Sequence, residues 1–180
     1  MIKIMKRVAL ISFIATILFW ILEAVSSNSI FTSLAITAGT FFYHFSVRLL
    51  IGYAVDGIFK NQMDYNNPWF RQRDFEEKLY NLLKVKNWKG KMPTAVPEIF
   101  DIRKNNPYDV AMAMCQAEIV HELIVLVRFL PIIASIWFGA FWVFFVTSLL
   151  AACYDMVFVV MQRYNRPRIL SLAERRNSAI

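Results

Sequence analysis

Glu118 and His121 stand three residues apart inside Cys115–Arg128, a stretch that opens a long apolar run and also carries Glu122 and Arg128. On a helix that spacing puts both side chains on one face. Ionisable groups at membrane depth are costly, and they usually face a bundle interior or a wet cavity. A histidine beside a carboxylate suits general-base chemistry, with the acid fixing the tautomer and stabilising imidazolium. A side chain at i−3 need not reach the ring, so Glu118 is equally readable as a second base or as the orienter of an arginine.

Two further sets have chemical potential. Gln162–Arg168 holds Arg163, Asn165, Arg166 and Arg168, and guanidinium groups engage phosphate or carboxylate bidentately. Asn165 and Pro167 give this cluster the look of a shaped turn, although a plain basic flank after a span reads similarly. His44 and Arg48 lie four apart in an earlier apolar segment and share a face there. The bland alternative is pairing alone: Arg48 with Asp56 or Glu23, Arg128 with Glu118 or Glu122.

The elements that position these residues follow from composition. The 180-residue chain is 58% hydrophobic with mean hydropathy +0.45, too apolar for an ordinary soluble domain. Four apolar segments, near 8–25, 30–59, 108–138 and 140–161, are long enough to cross a bilayer. The expected fold is therefore a single all-α integral membrane domain of about four transmembrane helices. Gly139, between Trp137 and Trp142, is the expected outer turn, and Pro131 is expected to kink the third span. Ala35 and Gly39, four apart, permit close helix packing in the second. The amino-terminal run resembles a signal peptide but lacks a convincing cleavage site, and it is read as a retained span.

Residues 60–106 form a hydrophilic loop. Asn67-Pro68 reads as a helix start, followed by an apolar stripe of Phe75, Leu79, Leu82 and Leu83 with Glu76, Glu77 and Lys78 facing away. This pattern suits an amphipathic helix lying on the membrane or packing beneath the bundle. Trp69 and Trp88 are anchor candidates. Asn105-Asn106-Pro107 restarts a helix.

Basic residues settle the expected orientation. Three precede the first span, ten lie in the loop and five follow the fourth span. The two short turns carry none, so the loop, both termini and the tail (162–180) are expected in the cytoplasm. The charge of +7 then reports topology and headgroup contact rather than nucleic acid. Cys115 and Cys153 are read as small hydrophobes. There is no Ser-His-Asp motif, Gly-rich phosphate loop or HExxH sequence. The two histidines lack compact ligand spacing, so neither a metal nor a bound cofactor is expected.

Three blocks resemble the glycosyl-4,4'-diaponeurosporenoate acyltransferase family of bacterial carotenoid-modifying membrane enzymes. They are Val85–Lys91, Ala117–His121 and Gln162–Arg168. The resemblance implies transfer of a fatty acyl group to a sugar hydroxyl of a membrane glycolipid in the bacterial cell membrane. It would make Trp88, Lys89, Glu118, His121, Arg163, Asn165, Arg166 and Arg168 motif positions. The resulting expectation pairs His121 and Glu118 as the base acting on an acceptor hydroxyl. Arg163, Asn165, Arg166, Arg168 and Lys89 would hold the phosphates of acyl-CoA or of an acyl carrier protein. His44, Arg48 and Trp88 would line the cavity. The competing expectations are a non-catalytic partner subunit and a different lipid-modifying enzyme, such as a methyltransferase or reductase.

Overall fold

The computed structural model describes residues 1–178. Helices account for 81% of the chain and no strand occurs among the described residues. Four helical segments are long and apolar enough to cross a membrane: Ile2–Ser26, Ser29–Phe59, Pro107–Phe138 and Phe141–Asn177. The first is α1 and the second α2; α1 packs chiefly on α2. Large side chains such as Leu10, Ile11, Ile14 and Ile21 on α1 point outward, where only lipid tails accept them at no cost. Asn28 caps α2 by accepting from Ile30 N at 3.0 Å, and Ser27 makes the reversal in a left-handed conformation. Ala35 is buried, and a Cβ placed on Gly39 would already lie 3.6 Å from Thr16. The small pair thus sits where α1 and α2 approach closely.

The loop carries a short helix α3 (Asp74–Leu82) and a single turn α4 (Val85–Trp88). One position on α3 departs from the expected pattern: Glu76, expected to face away, is buried. Glu76 and Tyr80, four apart, are buried, whereas Phe75, Leu82 and Leu83 are exposed and Leu79 is half-buried. The cause is Arg163, which draws Glu76 inward at 2.6 Å. The Tyr80 hydroxyl then donates to Glu76 at 2.6 Å. Burial, reinforced by that bond, pushes the Tyr80 phenol above its ordinary range. The leucines and Phe75 are left outward, as suits a helix whose apolar side meets the bilayer interface.

The third segment is divided into α5 (Pro107–Val127) and α6 (Pro131–Phe138). Asn106 caps α5 with Pro107 at its first position, as the sequence signalled. Pro131 cannot donate to the carbonyl of Val127, four residues earlier. That carbonyl instead accepts from the Tyr43 hydroxyl at 2.8 Å. The same carbonyl also accepts from Leu130 N at 3.1 Å, so the Tyr43 hydroxyl supplements a tightened last turn with a bond from another helix. Gly139 (φ +66°) and Ala140 (φ +50°) make the turn into α7 (Phe141–Asn177).

Here a second expectation fails. Gln162–Arg168 is not a turn beyond the last span; α7 runs through it, with Pro167 inside the helix, to Asn177. Its 37 residues extend about 55 Å at the usual rise, well beyond a hydrocarbon core of roughly 30 Å. The basic cluster therefore rides on a rigid rod packed along α5.

Candidate active site

The helix pair α5–α7, joined by α2, holds three polar clusters at successive depths. The deepest centres on Asp155, which is fully buried in α7. Its Oδ2 accepts from Arg128 Nη2 at 2.8 Å and Nε at 3.1 Å. Its Oδ1 accepts from Arg48 Nη2 at 2.5 Å and lies 2.9 Å from His121 Nδ1. Arg128 also donates to the backbone oxygen of His44 at 3.0 Å. A carboxylate engaged by two guanidinium groups is an acceptor only, so the Nδ1 of His121 must carry its proton toward Asp155. The other ring nitrogen, Nε2, has no partner among the described residues and is the basic one. The His121 ring lies flat on Phe158, with centroids 4.6 Å apart and planes 7° apart.

This arrangement replaces the expected pairings. Arg48 binds neither Asp56 nor Glu23, and Arg128 binds neither Glu118 nor Glu122; both converge on Asp155. Asp155 was missed by the sequence reading, although a lone acid inside the fourth apolar run is the very signal that the cost of buried charge makes informative. His44 shares the cluster through its backbone. Its ring is buried with neither nitrogen hydrogen-bonded.

The second cluster centres on Glu118, and it is separate from His121. Glu118 is fully buried, with Oε1 accepting from Arg163 at 2.5 Å and Oε2 accepting from Arg166. Arg163 also binds Glu76 and the carbonyls of Trp69 and Arg71, while Arg166 binds the carbonyl of Phe70 at 2.5 Å. Two guanidiniums thus meet two carboxylates and three loop carbonyls. The group is closed and electrically balanced. Glu118 has no free oxygen to assist His121, and Arg163 and Arg166 are committed to protein acceptors rather than open to a donor phosphate. What the cluster does is tie residues 69–76 to α5 and α7.

The third cluster lies at the loop end. Lys89 Nζ donates to Asn165 Oδ1 at 2.6 Å and sits 4.7 Å from the centre of the Tyr164 ring. Arg168 covers the same ring at 3.6 Å and bonds the Tyr164 carbonyl. Burial, together with the charges of Arg168 and Lys86, holds the Lys89 ammonium below its usual pKa. Trp88 is half-buried against Tyr80, Val85 and Tyr164 and donates to the Leu83 carbonyl at 2.9 Å. It anchors the loop and does not line the cavity that holds His121.

Two hollows flank these clusters. A cavity of about 340 Å³ is walled by His121, Arg48, Asp56, Val120, Ile124 and Phe158, and covered by Pro93–Val96, Phe100 and the start of α1. Its size and mostly apolar walls with few polar groups are those of a small-molecule site. A polar groove of about 610 Å³ runs between α3 and the end of α7, past Glu77, Asn81, Tyr164, Arg168, Ser171 and Arg175. Among the described residues no three His, Cys, Asp or Glu side chains gather in a metal-binding set.

Neither the curated proteins nor the solved structures include a match to this chain. A family model does match, over residues 66–175, well over half of the chain. The match takes in His121, Asp155, Glu118, Arg163 and Arg166, and it leaves Arg48 and His44 on α2 outside. The chain belongs to the glycosyl-4,4'-diaponeurosporenoate acyltransferase family.

Proposed function

We propose that this membrane acyltransferase of carotenoid biosynthesis moves a fatty acyl group from a cytoplasmic thioester to a sugar hydroxyl of a membrane glycolipid, with His121 as the general base. The observation that carries the reading is the His121–Asp155 pair set in the wall of an apolar cavity. Asp155 fixes the tautomer, so Nε2 faces the reacting groups. That nitrogen takes the proton of the acceptor hydroxyl as its oxygen bonds to the thioester carbon. The carbon–sulfur bond breaks, and the leaving thiolate takes the proton back from the imidazolium. The ring survives unchanged.

Glu118, Arg163 and Arg166 position the reaction instead of joining it, by holding the loop against the bundle. The donor's phosphates are better served by the groove of Arg168 and Arg175, whose guanidiniums border open space. Lys89 and Asn165 stiffen that edge. With basic residues crowding this end of the molecule, the loop and both termini are cytoplasmic. The lipid acceptor then enters from the bilayer and the thioester from the cytoplasm.

The test is reconstitution in liposomes containing a glycosyl carotenoid, with labelled acyl-CoA or acyl carrier protein added outside. Ester formation that depends on the protein supports the reading. Intact donor and unmodified glycolipid after incubation with both donors would overturn it.

A further inference from the structure

The spare donors of one arginine on the cavity wall point to its ligand. Two guanidinium groups, Arg48 and Arg128, face one carboxylate, Asp155. The two arginines are not equivalent. Arg128 is buried and spends its donors on Asp155 and the His44 carbonyl. Arg48 lines the cavity and gives only Nη2 to Asp155; its Nε and Nη1 have no partner among the described residues. Its guanidinium is held between Tyr154 and Phe158, 5.2 and 5.3 Å from their ring centres. It is therefore a fixed cation with spare donors rather than a mobile surface charge. The other carboxylate on the wall, Asp56, lies about 12 Å further along α2 by helix rise and is engaged by Gln116 at 3.1 Å.

A mostly apolar chamber with one fixed guanidinium that has donors to spare fits a molecule with an apolar body and a planar anionic head. We infer that the cavity is a binding site for a long-chain carboxylate, a free fatty acid, whose head is held by the spare donors of Arg48 and whose chain lies along Ile124, Val120 and Phe158. A carboxylate supplies one charge and two acceptors in a plane, matching guanidinium geometry; a phosphate would bring a second charge that nothing at this depth balances. The inference rests on the acyl-transfer reading only in sharing its cavity: a free acid carries the charge that the neutral thioester lacks, so it would occupy the acyl-chain space as a competing ligand. It also gives a residue outside the family match, Arg48, the recognition of the carboxylate head.

The test measures binding with neither donor nor acceptor present. The full chain in nanodiscs is incubated with radiolabelled hexadecanoate, and unlabelled hexadecanoate, hexadecanol and hexadecyl phosphate compete for it. Hexadecanoate should compete about 10-fold or more strongly than hexadecanol, the value of a charge-assisted hydrogen bond. Arg48→Gln should erase that preference and Arg48→Lys should retain part of it. Equal competition by acid and alcohol on the unmodified protein overturns the inference whether or not the variants fold. So does an acid preference that survives in Arg48→Gln, or stronger competition by the phosphate. Acid-selective binding without acyl transfer would sink the proposed reaction and leave this site standing; transfer without acid selectivity would do the reverse.

Discussion

The Nδ1 of His121 lies 2.9 Å from Oδ1 of Asp155, across the seam between α5 and α7. Two arginines keep that carboxylate an acceptor, so the proton sits on Nδ1 and Nε2 is left as the basic nitrogen of a residue in the cavity wall. Replacing His121 with Asn keeps a donor for Asp155 and nearly the same volume. Acyl transfer in membranes should fall about 100- to 10,000-fold, the usual worth of a general base, while thermal unfolding in detergent stays close to that of the parent. Turnover within a few-fold of the parent would remove His121 from the reaction.

Asp155→Asn asks a different question. It removes the one anion that Arg48 and Arg128 share inside the bundle. Breaking a buried pair from one side typically costs about 3–5 kcal/mol. The expected result is loss of activity together with a clear drop in unfolding temperature. If stability is unchanged, the arginines are being neutralised by something other than Asp155.

Glu118→Gln separates holding from catalysis. Arg163 and Arg166 lose their shared anion, and the carbonyls of Trp69, Phe70 and Arg71 lose well-placed donors. Residues 69–76 should become accessible to protease, and activity should fall through a smaller fraction of well-assembled protein. The pH profile of the remaining activity should not move, because Glu118 exchanges no proton with substrate. A shifted profile would return Glu118 to the chemistry.

The reading of these residues from sequence divides along a physical line. The apolar runs, the Asn106-Pro107 cap and the Gly139 turn were legible because each acts within a turn of itself. The helix start read at Asn67-Pro68 is only a 3-10 turn, with α3 beginning at Asp74, and Gln162–Arg168 is helical. Glu118 and His121 were rightly singled out, since charge in an apolar run is informative wherever it falls. Their pairing was not legible. Three residues on a helix separate side chains by about 60° around the axis, enough for neighbours on one face to find different partners. Because α7 runs back along α5, the earlier residue Glu118 meets Arg163 and Arg166, and the later one His121 meets Asp155. Periodicity reports who shares a face, and the antiparallel register decides who touches. The same limit explains Glu76, which a hydrophobic stripe turned outward until Arg163 claimed it.

Arg168→Ala probes the groove. Its guanidinium stacks on Tyr164 and borders open space beside Arg175. Removing one phosphate-binding cation should raise the KM for acyl-CoA about 10-fold with kcat little changed, and the effect should shrink at high salt. An unchanged KM would place the donor's phosphates elsewhere.

Tyr43→Phe tests how the break before Pro131 is tolerated. The phenol oxygen donates to the Val127 carbonyl, which Pro131 leaves without its i+4 donor and with only the Leu130 amide, at 3.1 Å. In lipid, an interhelical hydrogen bond of this kind is worth about 0.6–2 kcal/mol. The variant should unfold at lower temperature by a corresponding amount. Arg128, at the break itself, should be felt too: its position between Asp155 and the His44 carbonyl depends on where α5 ends. A modest loss of acyl transfer should therefore accompany the loss of stability, and restoring the helical donor with Pro131→Ala in the Tyr43→Phe background should recover stability. If Pro131→Ala restores nothing, the Val127 carbonyl was not the group that the Tyr43 hydroxyl protects.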